Sequence, residues 1–304
     1  MALLKFKKTA NKPESSNNFS GLLQNFSLEV MPRTADKIAN FSEILPTNTL
    51  IYIAHIDGTS INEMVRTAAR LRDEGFHVMP HFPARIIKDK STLADWIDRY
   101  TSEAGVKQAL LLAGGVDEPS GDFESSMQLL ETELFDKFGF TDLNVAGHPE
   151  GNKDIDLDNT SKNVDMALEW KQEFSERTDA SMGITTQFAF ESKPIFEWAN
   201  RIQASGINLP INVGVAGPAK LQTLIKFAIA CGVGPSLKVL QKRAMDITKL
   251  LLPYDPTDVL NELAIGKPQN PNANISNIHF FPLGGIKANA EWISNNLTKK
   301  IMSA

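Results

Sequence analysis

Eight short apolar segments, each followed by a segment whose apolar residues recur at helical spacing, constrain the fold of this chain most strongly. Successive strand and helix units build a parallel sheet. Eight of them match a closed barrel better than an open doubly wound sheet, which usually needs about five or six strands. We therefore predict an α/β fold, a single (β/α)8 TIM barrel. The predicted strands begin near Phe26, Thr49, His77, Gln108, Asp142, Gly183, Leu209 and Ile275.

Capping and breaking residues predict where the intervening helices begin and end. We expect Thr34 to cap a helix from Ala35 to Leu45, and a second helix to run from Ser125 to Lys137. A third is expected from about Asn159 to Arg177, and Pro218 is expected as the first residue of the helix after the seventh strand. The amphipathic segment 237–251 predicts a further helix before the last strand.

Composition limits the classes of function. The chain has 304 residues, 42% of them apolar, which is enough for a large core in one domain. A net charge of -5 gives no basic surface for nucleic acid or acidic lipid, so a small-molecule ligand is expected. The single cysteine, Cys231, cannot form an internal disulfide, and we expect it to be buried in a helix.

The first 18 residues differ in composition from the rest of the chain. They are rich in Lys, Ser, Asn and Pro, and they lack the apolar core of about 7 to 15 residues that a secretory signal requires. No apolar run reaches the roughly 18 residues that a membrane helix needs. We predict a flexible N-terminal arm at 1–18, a catalytic barrel domain at 19–304, no membrane partner and a cytoplasmic location.

The segment Phe26–Thr34, FSLEVMPRT, places a carboxylate in an otherwise apolar strand. In a parallel barrel, catalytic groups lie at the carboxyl ends of the strands, where Glu29 is expected. A carboxylate at that position is either a member of a structural ion pair or a proton-transfer group sheltered from water. The residue alone leaves both interpretations open.

The other predicted strand ends carry histidine, amide and glycine rather than a known metal or nucleotide motif. No HExxH or zinc-like spacing is present, so we expect no metal, and AGG, VGVAG and PLGG lack the GxGxxG spacing of a Rossmann loop. His81, in MPHF, is expected as a hydrogen-bonded core histidine or a ligand contact. Gln187 requires partners for its buried amide, which a heteroaromatic ring can supply.

Six motifs in order resemble the methylenetetrahydrofolate reductase family. SLEVMPRT resembles its opening strand, MPHFPAR its Pro-His strand end, and LLLAGGVDEP its LRGD loop. VAGHPEGN resembles its strand ending in Tyr-Pro-Glu, ITTQFAFE its ITQFFFD segment, and IHFFPLGG its closing FHFYTLN strand. The similarity extends from Ser27 to about Trp292. Each motif is weak alone, and their common order at comparable spacing makes the resemblance specific.

The resemblance implies a flavoprotein oxidoreductase of one-carbon metabolism. FAD is expected at the carboxyl face, NADH or NADPH as hydride partner, and 5,10-methylenetetrahydrofolate and 5-methyltetrahydrofolate as the interconverted substrates. By position, Glu29 is the general acid, and we expect desolvation to raise its pKa toward neutrality. Asp117 matches the loop aspartate near the flavin pyrimidine. Gln187 and Phe188 match residues that contact the pterin or the nicotinamide.

The resemblance also assigns positions that line the FAD. Lys171 matches a partner of the FAD pyrophosphate. Asp165 and Lys171 could instead belong to a solvated helix face. Glu150 could instead cap the adjacent loop or form an ion pair there. The implied FAD-binding positions are His81, Gly114, Gly115, Asp117, His148, Glu150, Asn152, Asp165 and Lys171. Family members are usually homo-oligomers, which we expect here as well.

Departures from the family pattern identify a divergent branch. The LRGD arginine is replaced by Ala113 or Gly114, and the tyrosine by His148. His55, or Ala54 before it, stands where the family has Ser or Thr. A basic loop carrying Arg85, Lys88 and Lys90 stands where the family is more neutral. The direction of reaction is not fixed by sequence, because an enzyme stabilises the same transition state both ways; oxidation of 5-methyltetrahydrofolate during methyl-group catabolism is one expectation.

Two other functions remain open from the sequence. A folate-binding methyltransferase barrel would pass the methyl group to a cobalamin or thiol acceptor without flavin. A non-catalytic barrel would bind a partner subunit, and its altered LRGD-type loop would reflect lost cofactor binding.

Overall fold

The computed structural model describes residues 19–158, 160–231, 234–245 and 253–298. The predicted N-terminal arm, residues 1–18, lies outside the described residues. The end of the helix predicted over 237–251 also lies outside them, beyond residue 245.

Eight parallel strands close into a barrel in sequence order, each paired with its neighbours along the chain and β1 with β8. This confirms the predicted (β/α)8 fold. The strands are β1 Ser27–Val30, β2 Leu50–Ile53, β3 His77–Pro83, β4 Gln108–Leu112, β5 Asp142–Gly147, β6 Ser181–Ala189, β7 Ile211–Ala216 and β8 Ile275–Phe281.

Helices follow the strands and pack outside the barrel. Among the described residues they are α1 Pro32–Ala35, α2 Ile61–Asp73, α3 Lys90–Ala104, α4 Ser126–Glu131, α5 Leu134–Lys137, α6 Lys162–Ser175, α7 Ser192–Ala204, α8 Leu221–Ala230, α9 Gly234–Met245, α10 Thr257–Gly266 and α11 Ile286–Thr298. Short 3-10 turns lie at Ser20–Leu23, Phe41–Glu43, Ala84–Ile86, Lys267–Gln269 and Pro271–Ala273.

The helix predicted from Ala35 to Leu45 is wrong. The hydroxyl of Thr34 turns back to the end of β1, where it donates to the Met31 carbonyl at 2.9 Å and accepts from the Met31 N–H at 3.0 Å. Thr34 is therefore the third residue of the short helix α1 and stabilises its start, and it does not cap a longer helix. Asn40 then opens a separate 3-10 turn by accepting from the Ser42 N–H.

Two other predicted helices begin or end elsewhere. The helix predicted over Ser125–Lys137 breaks into α4 and α5 at Glu133, whose φ of 58° lies in the left-handed region. Pro218 does not open a helix, because Ala219 pairs with Tyr254 through two backbone hydrogen bonds of 3.0 and 2.9 Å. That antiparallel bridge holds the chain extended until α8 begins at Leu221.

The barrel interior contains a buried polar cluster where branched aliphatic residues usually dominate. The Asn144 amide donates to the Tyr52 hydroxyl at 2.7 Å and to the Thr185 hydroxyl at 3.2 Å, and the two hydroxyls are 3.0 Å apart. Gly183 leaves room for it, since a Cβ there would lie 2.6 Å from the Asn144 amide oxygen. The cluster lines the barrel interior below the opening at the carboxyl ends of the strands, which we call the mouth.

We predict that Tyr52→Phe lowers the free energy of unfolding by about 1 to 3 kcal/mol, because Asn144 and Thr185 lose a buried partner. Tyr100→Phe is the matched control, since the Tyr100 hydroxyl is equally buried and has no hydrogen-bond partner among the described residues. It should be neutral or slightly stabilising. Urea unfolding of both variants measures the difference, and equal losses would show that the cluster contributes nothing specific.

Candidate active site

Glu29 and His81 form the centre of the site at the carboxyl ends of β1 and β3. Both side chains point into the barrel, as expected for one interior layer built from alternate strands. Glu29 Oε2 lies 3.2 Å from His81 Nε2, within ion-pair distance. The side chains are 21% and 9% exposed, so Glu29 reaches toward the mouth while His81 is covered.

The predicted rise in the pKa of Glu29 is wrong. Burial does raise the pKa, but the electrostatic attraction of His81, 3.2 Å away, together with that of His279, outweighs that effect. The pKa of Glu29 therefore lies below its ordinary value, and the group is a carboxylate at neutral pH. The expectation counted desolvation alone, because sequence does not show which side chain the strand register places opposite the carboxylate.

His279, on β8, lies deeper in the barrel and supports this pair. Its Nδ1 is 2.9 Å from the Ser27 hydroxyl, and its ring centre lies 4.4 Å from that of Tyr52. Burial lowers the pKa of His279 to about 4, so the ring is neutral. Its Nε2 has no hydrogen-bond partner among the described residues. His279 lies in the segment IHFFPLGG, and nothing in the sequence gives it a role.

His55 lies at the end of β2, beside the same mouth. Its Nε2 is 2.9 Å from the Thr59 carbonyl, and its ring stacks on Trp96 with centres 4.8 Å apart. Burial lowers the pKa of His55. The ring therefore anchors the loop after β2, where the resembled family carries a small hydroxyl residue.

An aromatic wall lies at the ends of β6 and β8. Phe188 contacts Phe281 and Phe190 with ring centres 5.5 and 5.8 Å apart, and Phe281 lies 4.8 Å from the His279 ring. The half-buried Gln187 donates from Nε2 to the Cys231 carbonyl at 3.3 Å. Of the two residues predicted to contact the pterin or nicotinamide, Phe188 is thus part of this wall, and Gln187 connects it to the end of α8.

The prediction that Cys231 is buried in a helix is wrong. Cys231 directly follows the last residue of α8, Ala230, and it is exposed. Partial desolvation, and then the negative charge of Glu29, raise the pKa of its thiol. The contact of its carbonyl with Gln187 places the end of α8 beside the end of β6.

A buried cation lies behind the end of β5. Lys171 on α6 is only 7% exposed, so it is not part of a solvated helix face. Burial lowers the pKa of Lys171 to about 8. Burial, and then the charge of Lys171, lower the pKa of His148 to about 4. No carboxylate lies within ion-pair distance of Lys171 Nζ among the described residues.

The nearby acidic side chains are engaged elsewhere. Asp156 caps α6 by accepting from the backbone N–H groups of Asn163 and Val164 at 2.8 and 3.2 Å. Asp165 accepts from the Ser161 hydroxyl at 2.7 Å and pairs with Arg201 on α7. The structure therefore gives Asp165 a helix-to-helix ion pair.

Two predicted residues lie in the loop after β5. Asn152 accepts from the Asp154 N–H at 2.9 Å, and Glu150 is half-buried. Both precede α6 on the same side of the barrel as His148.

The loop after β4, residues 113–124, is fastened to the loop after β3. Arg85 donates from Nη1 to the Val116 carbonyl at 3.0 Å and from Nε to the Glu124 carbonyl at 3.2 Å. Backbone hydrogen bonds add to this contact, and Gly121 is required because a Cβ there would lie 1.9 Å from the Lys88 carbonyl. These contacts position the exposed Asp117.

Gly114 and Gly115 form the first turn of this loop. Gly114 has a φ of 105° and lies against Pro83, whereas a side chain at Gly115 would meet nothing within 4 Å. The open backbone at Gly115 leaves room for a flat ligand to approach this side of the mouth.

The predicted residues thus separate by place. Glu29 and His81 are in contact, Gln187 and Phe188 lie across the barrel at the end of β6, and His148 and Lys171 form a second group behind β5. No group of three His, Cys, Asp or Glu residues is arranged to hold a metal within the described ranges. Over the same ranges, no helix is long and apolar enough to span a membrane.

No protein-family model matches the chain. Among solved structures it is similar to an uncharacterized protein from Clostridium thermocellum, described as binding two copies of 5-methyl-5,6,7,8-tetrahydrofolic acid. Identity is 12%, with 92% of this chain and 95% of that chain covered, at a TM-score of 0.57. It is also similar to 7,8-dihydropteroate synthase from Vibrio fischeri, at 12% identity, 93% and 96% coverage and a TM-score of 0.42. The similarity to the C. thermocellum protein, at the higher TM-score, agrees with the (β/α)8 fold.

Proposed function

We propose that this chain binds a reduced folate at the carboxyl face of its barrel and interconverts 5,10-methylenetetrahydrofolate and 5-methyltetrahydrofolate. FAD and NADH or NADPH would be the hydride partners, as in the methylenetetrahydrofolate reductase family that the sequence resembles. The observation that carries the proposal is the Glu29–His81 pair, which places an ionised, partly exposed carboxylate in the mouth. The reported folate binding of the C. thermocellum barrel supports the substrate class.

Glu29 and His81 are suited to move one proton between them and the substrate. A carboxylate accepts well from the adjacent N–H and amino groups of a pterin ring. Opening the five-membered ring of the methylene substrate requires a proton on its departing nitrogen. In the proposed step, the proton passes from His81 Nε2 to Glu29 Oε2, 3.2 Å away, and from there to the substrate nitrogen. In the oxidative direction the same pair receives the proton.

The residues behind β5 fit a phosphate-bearing cofactor. Lys171 is a buried cation without a carboxylate partner among the described residues, so an anion brought by a ligand would offset the cost of its burial. Lys171, His148 and Asn152 would hold the FAD, and the exposed backbone at Gly115 leaves space beside it. When bound, FAD supplies the hydride-transferring ring. The aromatic wall of Phe188 and Phe281 would exclude water from the folate side.

The absorbance spectrum of the purified protein, followed by anaerobic titration with NADH and NADPH, tests this function. Flavin absorbance that bleaches with one nicotinamide and returns with methylenetetrahydrofolate is the expected result. Tight binding of 5-methyltetrahydrofolate by a protein that cannot be loaded with FAD would favour the methyltransferase function instead. Failure to bind any folate would reject both.

Cys231 provides a test of where the folate binds. As the chain's only thiol, it gives a single labelling site, and its raised pKa makes alkylation slow at neutral pH. We predict that saturating 5-methyltetrahydrofolate slows iodoacetamide labelling by about tenfold, because the ligand covers the mouth. Labelling is followed by intact mass, with Cys231→Ser as the blank. An unchanged rate would place the ligand away from the end of α8.

A further inference from the structure

The helix α11 begins at the carboxyl face of the barrel, after β8 and beside the end of β7. Within the described part of the chain, the backbone N–H groups of Ile286, Lys287 and Ala288 have no acceptor. By contrast, the first N–H of α7, at Ser192, is met by the Glu262 carboxylate at 3.3 Å. Unpaired N–H groups at a helix N-terminus attract anions, and the loops after the seventh and eighth strands are a frequent phosphate site in such barrels.

A buried amide faces the same place. Asn289, in the first turns of α11, is 1% exposed, and neither its Oδ1 nor its Nδ2 has a partner among the described residues. Its Oδ1 lies against Gly217, where a Cβ would come within 1.9 Å of it. The amide therefore lies in the gap between the end of β7 and the start of α11. Buried amides nearly always have hydrogen-bond partners, and an oxyanion in this gap would supply an acceptor for Nδ2.

The surrounding backbone and charges favour an anion. The loops touch, since a Cβ at Gly284 would lie 2.0 Å from the Pro218 carbonyl, whereas one at Gly285 would meet nothing within 4 Å. The helix start is therefore open from outside. Lys287 and Lys220 are both exposed on these segments, and the first turn of α11 contains no acidic residue.

We propose that this gap, bounded by Gly217, Gly285, the first turn of α11 and Asn289, binds a phosphate group. The site does not depend on folate chemistry. Where the proposed function holds, the phosphate belongs to the nicotinamide co-substrate; otherwise it is free phosphate or a phosphate of another ligand.

Inorganic phosphate is the probe, titrated against the full-length protein and followed by 31P NMR and thermal shift. Wild type is expected to bind saturably, and Lys287→Glu is expected to bind about tenfold more weakly, because it places a carboxylate at the helix start. Lys193→Glu is the matched control, an exposed first-turn lysine on α7, whose N-terminus Glu262 already occupies. Its phosphate affinity should equal that of wild type.

Asn289→Asp should abolish phosphate binding, and the exposed Lys287→Glu keeps the test valid if that buried variant does not fold. No saturable binding by wild type, or equal affinity in Lys287→Glu, would overturn the proposal.

The source of the phosphate is decided by kinetics. A raised KM for NADH or NADPH in Lys287→Glu, with kcat and the KM for folate unchanged, identifies the dinucleotide. Phosphate binding with unchanged dinucleotide kinetics identifies free phosphate. A protein without folate turnover leaves the titration itself unaffected.

Discussion

Glu29→Gln should lower turnover of the folate substrate by a factor of about 10² to 10⁴, the range expected when a proton-transfer group is removed. The amide keeps the shape of the carboxylate but cannot relay a proton from His81 Nε2, 3.2 Å away. Because Glu29 is 21% exposed and its strand neighbours are unchanged, the variant should fold and should still bind flavin. Stopped-flow measurement of flavin reduction and reoxidation separates the nicotinamide half-reaction, expected to survive, from the folate half-reaction.

The pH profile distinguishes the pair from an isolated carboxylate. The pKa of Glu29 is lowered in the folded protein, so its stabilising interaction is present above its ordinary pKa and is lost as pH falls through the lower, folded value. Stability should therefore fall on the acid side in wild type and less so in Glu29→Gln. A variant with full folate turnover, or one that loses flavin reduction and reoxidation equally, would contradict the assigned role.

Lys171→Met should stabilise the protein while weakening its cofactor binding. The pKa of Lys171 is about 8 in the folded chain against an ordinary 10.5, and that difference corresponds to about 3 kcal/mol of cost at neutral pH. Between those two values the unfolded chain holds a proton that the folded chain lacks, so the cost diminishes as pH rises. We expect the free energy of unfolding of the cofactor-free protein to rise by up to about 3 kcal/mol in Lys171→Met.

The same substitution removes a charge-assisted contact to phosphate, worth about 1.5 to 3 kcal/mol, and should weaken FAD binding about 10- to 100-fold. Lys162→Met is the control, because Lys162 is exposed at the start of the same helix. It should change neither quantity appreciably. If Lys171→Met destabilises the protein, or binds FAD as tightly as wild type does, the buried charge of Lys171 does not serve to bind an anionic ligand.

The fold could be predicted because each of the eight strands is a local pattern. Alternation of apolar strands and amphipathic helices is present in the sequence, and closure follows from their number. The local exceptions could not be predicted. Thr34 could cap a following helix or bond back to Met31. The structure shows the bonds to Met31, and the sequence does not indicate which of the two forms. Pro218 satisfies the rule for a first helical residue, but the bridge between Ala219 and Tyr254 joins segments far apart in sequence.

The candidate site was recovered in part for the same reason. Glu29 stands out in the sequence as a lone acid in an apolar strand, and strand-end reasoning places it at the mouth. Its partner His81 was identified as a strand-end residue, but the distance that reverses the expected pKa change depends on the register of β1, β2 and β3. The burial of Lys171 could have been predicted from its position on the same helix face as Val164, Leu168 and Phe174. A charged residue at such a position is ordinarily assigned to the exposed face. Asn289 offered none.

The contacts of Arg85 make the loops after β3 and β4 a single body. Side-chain and backbone hydrogen bonds join residues 84–90 to 113–124, and Gly121 admits no larger residue against the Lys88 carbonyl. If one loop were transferred alone into another barrel, the carbonyl groups of Val116 and Glu124 would lose their hydrogen bonds from Arg85. Engineering of this rim, or its diversification among relatives, should therefore exchange the two loops together as one inherited module.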